Sequence, residues 1–105
     1  MDNNLIKKIS SNPALVAFCN RILSYNTIFE DGEARRLFLA SLISADTLTD
    51  EESCMESLET VYFILDHMEL FQISDEIRKE IKEFMEKTTD IVYRSLMDMI
   101  KRKNK

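Results

Sequence analysis

One glycine, Gly32, and one proline, Pro13, are all the strong turn punctuation that a chain of 105 residues carries. A sandwich or barrel of many short strands needs far more, because its tight turns require residues that tolerate positive φ or preset it. Long helices joined by few loops are what remains. With 45% apolar residues, the chain has enough for one core, and residues 1–105 are expected to form a single domain.

The helices can be placed from caps and apolar stripes. Leu5, Ile6 and Ile9 share a face, which suggests a short extra helix near residues 2–9. Asn12 before Pro13 reads as an N-cap with proline at the first helical position. The stripe Leu15, Phe18, Cys19, Ile22 and Leu23 carries that helix over 13–24, with "YNTIFEDG" as connector. Residues 33–45 are apolar almost throughout from Leu37 to Ile43, the pattern of a helix at the centre of a pack. Thr49 and Glu52 have capping-box spacing, so the next helix is expected over 50–70. Ser74 caps the last, 75–102, roughly 42 Å long at 1.5 Å per residue. The expected fold is all-α: an antiparallel four-helix bundle with a short extra N-terminal helix and a long C-terminal one.

Heptad arithmetic sorts the faces. On the third helix, Cys54, Leu58, Val61, Leu65 and Met68 form an a/d seam flanked by Met55 and Tyr62. The opposite side collects Glu56, Glu59, Phe63, Asp66, Glu69 and Leu70, so Phe63 is expected to stand open among carboxylates as the centre of a face for a protein with a basic surface. On the last helix the inward series is Ile77, Ile81, Phe84 or Met85, Thr88, Val92, Leu96 and Met99. Tyr93, Met97 and Ile100 leave it as a second stripe, which either the bundle surrounds or a second chain covers; the expected reading is a self-association face in a homodimer.

Charge is unevenly spread within a total of −5. Residues 49–90 hold thirteen acids against four bases, and residues 91–105 hold five bases against one acid. The acidic balance opposes non-specific attraction to nucleic acid or anionic membranes. Lys101, Arg102, Lys103 and Lys105 suit the C-terminal end of a helix dipole, and they also supply the alternative reading, a dimeric transcriptional regulator touching nucleic acid with its tail. No segment reaches the roughly 20 apolar residues of a membrane span, and no signal-peptide pattern opens the chain, so a cytoplasmic location is expected.

Reactive chemistry finds little support. Cys19 and Cys54 lie in apolar helical patterns without metal or redox spacing, as two buried thiols would, although spacing leaves a disulfide between them open. His67 is the only histidine. A di-iron bundle would put glutamate three residues before it, where Ile64 stands, and would need a second histidine. A phosphotransfer role is opposed by acidic neighbours. "DTLTDEE" lacks the glycine and oxygen spacing of a calcium loop. No catalytic residue, metal site or cofactor is therefore assigned. The expected function is that of a small non-catalytic regulator or adaptor acting through helix faces and an acidic surface.

Overall fold

Each of the four helices described begins where a side-chain oxygen takes up backbone N–H groups that the helix itself leaves unpaired. Asn12 accepts from Ala14 and Leu15 at the start of α1 (Pro13–Glu30), and Asp31 accepts from Glu33 and Ala34 at the start of α2 (Gly32–Ser41). Asp50 accepts from Ser53 for α3 (Glu51–Asp66), and Ser74 from Ile77 for α4 (Asp75–Lys103). The computed structural model describes residues 11–104, and the short helix expected near residues 2–9 lies outside them. The architecture is the all-α, four-helix arrangement expected, with a C-terminal helix of 29 residues.

Several boundaries differ from expectation for local reasons. α1 runs on to Glu30 because "YNTIFE" holds no helix breaker and Phe29 continues the inward stripe from Ile22 and Tyr25. Asp31 then ends one helix and caps the next. α2 stops at Ser41, short of 45, where hydroxyls take over its carbonyls: Ser41 donates to Phe38 O, and Thr47 and Ser44 both donate to Ser41 O. Such side chains compete with the helical ladder. At α3 the cap is Asp50 and not Thr49, whose hydroxyl sits 3.4 Å from that of Ser53.

α3 ends at Asp66 because His67 terminates it. A carbonyl can only accept, so the His67 Nδ1 donates to Phe63 O at 2.6 Å, while its backbone N–H turns to Ile64 O. A short 3₁₀ turn, Met68–Leu70, follows. The imidazole thus acts as a cap, packed on Phe18 and Phe63 with ring centroids 5.1 and 4.4 Å away.

The central element is α3, whereas α2 is peripheral. α3 buries Cys54, Ser57, Leu58, Val61 and Ile64, while α2 buries only Leu39 within its span and leaves Leu37 66% exposed. α3 and α4 run antiparallel, since Tyr62 meets Tyr93 and Cys54 meets Met99. Of the expected seam, Leu65 is half-buried and the other four are buried. Near the C-terminal end of α3, α1 and α2 close a core that includes Phe29, Leu42, Ile64, Phe71 and Met85. Arg78 fastens the following loop, donating to Phe71 O and Ile73 O.

The other end of the α3/α4 pair is thinner. There Cys54, Leu58 and Val92 form a second small cluster, covered by Ile43 and Leu48 of the α2–α3 connection. The radius of gyration is 16.5 Å, above the roughly 13 Å of a compact domain of about 100 residues. The α3/α4 pair projects there as an arm, and among the described residues one of its sides is uncovered.

Thr88 lies on α4 between these clusters, fully buried, and its hydroxyl has no hydrogen-bond partner among the described residues. An unmet buried hydroxyl costs about 1 kcal/mol or more. Thr88→Val, similar in shape, is expected to raise stability by about 1 kcal/mol, a gain of several degrees in Tm for a domain this size. Thermal melts of the two proteins check it, and an unchanged or lower Tm would show that the hydroxyl is satisfied.

Candidate functional site

The acidic side of α3 is the first candidate, and α1 crosses it. The Arg21 guanidinium lies 3.8 Å from the Phe63 ring centroid and donates two hydrogen bonds to the Glu59 carboxylate, at 3.0 and 2.9 Å. Phe18 and Tyr25 pack on the same ring at 5.9 and 5.7 Å. Phe63 is accordingly half-buried within the chain, which corrects the expectation that it stands open. An arginine that stacks on a ring while its edge forks onto a carboxylate satisfies both groups at once.

The other residues of that expected face are dispersed. Glu56, exposed, borders a hydroxyl-lined recess of ≈ 360 Å³ with Ser41, Thr47, Ser53 and Thr60. Asp66 and Glu69, also exposed, border a recess with Arg78 and Lys82. Leu70, 52% exposed, joins Phe18, Cys19, Ile22 and Leu23 around an apolar recess on α1. What the structure leaves open is a set of carboxylates spread along α3 and the 3₁₀ turn after it, with Phe63 withdrawn from their midst.

Arg21 holds the Glu59 carboxyl below its ordinary range, chiefly through their hydrogen bond. A carboxyl depressed in the fold contributes stability above its unfolded pKa, about 4.3, and loses it as pH falls through the lower folded value. Glu59→Gln is therefore expected to melt below wild type at neutral pH, with the gap closing below about pH 4. Tm measured against pH for both proteins tests this, and a constant gap would contradict it. Asp50 is shifted the same way by the Ser53 backbone N–H it accepts, so acid also loosens the α3 cap.

The second candidate lies on the arm. Tyr93 and Met97 of α4 are 43% and 51% exposed, and Ile100 is half-buried beside them. On the adjoining side of α3, Met55 and Tyr62 are 56% and 41% exposed. The Tyr62 and Tyr93 hydroxyls hydrogen-bond across the seam, which pushes the Tyr62 phenol up, and the antiparallel register sets Met55 toward Ile100. These five residues form one apolar strip about two helical turns long. Met55 and Tyr62 read in the sequence as the flank of the seam, and only the pairing of α3 with α4 joins them to the stripe on α4.

The basic end of α4 is partly engaged. Lys101, Arg102 and Lys103 are all exposed, and Lys103 lies 3.7 Å from Glu51 at the start of α3; Lys105 is outside the described residues. Both cysteines are free thiols: Cys54 is buried against Met99, its pKa pushed up mainly by burial, and Cys19 is half-buried. Among the described residues no group of three or more His, Cys, Asp or Glu is placed to hold a metal ion, and no helix is long and apolar enough to cross a membrane. The arrangement offers contact surfaces and commits its histidine to a helix end.

No family model, curated protein or solved structure matches this chain.

Proposed function

We propose that this chain is a small, non-catalytic regulatory or adaptor protein that works as a homodimer and binds a protein partner with a basic surface. The observation that carries the reading is the strip of Met55, Tyr62, Tyr93, Met97 and Ile100, apolar surface gathered on the uncovered side of a two-helix arm. Contiguous exposed apolar groups on a rigid element are characteristic of contact sites, and tyrosine and methionine are enriched in them. The strip serves self-association. The carboxylates that α1 leaves free, Glu56, Asp66 and Glu69, serve the basic partner, with Leu70 as the apolar neighbour.

Two free cysteines suit a reducing compartment, in keeping with a cytosolic protein. Light scattering tests the oligomeric part directly: the reading expects a mass of twice 12.3 kDa. A monomer at every concentration would overturn it.

A further inference from the structure

The exposed face of α4 that carries Tyr93 and Met97 has its charges sorted along its length. Steps of three and four from Glu86 lead to Asp90, Tyr93, Met97 and Ile100, with Lys101 next to the last. Acids thus lie before the apolar centre and Lys101 after it, while Arg94 and Asp98, both exposed, run along the edge of that centre. Glu86, Asp90 and Lys101 are all exposed, and among the described residues none of them is in an ion pair. A helix face of this kind is complementary to itself when a second copy is laid antiparallel, and meets like charge with like charge when the copy is parallel.

We propose that a second copy of the chain docks on this face about a two-fold axis passing between Tyr93 and Met97, with the two α4 helices antiparallel. This rests on the self-association reading above and specifies its geometry. Tyr93 of each copy then faces Met97 of the other, and Lys101 of each lies beside Asp90 of the other with Glu86 within reach. The contact is isologous, so every pair occurs twice and the two ion pairs flank one apolar centre. Arg94, near the axis, has Asp90 and Asp98 four residues to either side on its own helix to balance it. Met55 and Tyr62 on α3 border the same strip and extend the covered area.

Sedimentation equilibrium of wild type, Asp90→Lys, Lys101→Asp and the double variant tests the register. Each single reversal sets like charges together twice and is expected to weaken association by about tenfold or more, with the double variant returning close to wild type. Circular dichroism confirms that these surface positions leave the helices intact. Dimers indifferent to both reversals, or single losses that the double variant fails to rescue, would overturn this register while leaving self-association standing. A wild type that stays monomeric would overturn both.

Discussion

Phe29→Ala is expected to destabilise the protein by about 3–5 kcal/mol. Phe29 is fully buried at the end of α1, and its ring meets Phe71 at 5.2 Å, Phe38 at 5.9 Å and Tyr25 at 6.1 Å. It therefore joins α1 and α2 to the segment that follows α3. Its carbonyl also accepts a hydrogen bond from Arg35, whose guanidinium reaches toward Glu80 of α4. Removing the ring takes away apolar burial and leaves a cavity that three aromatic neighbours cannot fill without shifting. Domains of this size have about 5–15 kcal/mol in all. Urea unfolding should show a large fall in midpoint with a similar slope. A loss below about 1 kcal/mol would mean that the aromatic cluster is not the centre of the fold.

Met97→Asp is expected to weaken self-association by at least about a hundredfold while sparing the monomer. Met97 is 51% exposed, so in the separated chain the new carboxylate stays in water. In the dimer it would be desolvated against Tyr93 of the second copy, and on its own helix it would draw Lys101, four residues on, away from that copy's Asp90, at a cost of several kcal/mol over the two halves of the interface. About 2.7 kcal/mol already corresponds to a hundredfold. Association also adds to stability by mass action. The wild-type Tm should accordingly rise with concentration, whereas that of Met97→Asp should stay at the dilute wild-type value. Parallel rises in both would place the contact elsewhere.

The fold was legible in the sequence where local physics decides it. Asn12 and Ser74 sit ahead of apolar stripes, and α4 begins at the residue its cap implied, whereas the capping-box spacing at Thr49 pointed one residue short of the true cap of α3, Asp50. The interior seam of α3 followed from spacing because burial along a helix obeys its period. What spacing cannot reveal is which helix covers a given face. Phe63 looked exposed because its own helix surrounds it with acids, but its cover comes from Arg21, whose bond to Glu59 spans 38 residues of sequence. A tertiary ion pair leaves no periodic mark. Leu37 to Ile43 misled in the opposite direction, since a greasy run implies a central helix only if the helix is long enough to be surrounded. Here hydroxyls from Ser41 to Thr47 end it first. The strip on the arm was half visible: the stripe on α4 could be read alone, but Met55 and Tyr62 join it only once the register of α3 against α4 is known.

Methionine oxidation reports most directly on whether that strip is a covered contact face. Met97 and Met55 are exposed in the single chain, while Met85 is fully buried and serves as an internal reference. Oxidation of a thioether follows its access to solvent. With peroxide and mass spectrometry, Met97 is expected to oxidise rapidly at high dilution and progressively more slowly as protein concentration rises, with Met55 following it and Met85 slow throughout. Met97 oxidising at the same rapid rate at every concentration would contradict it.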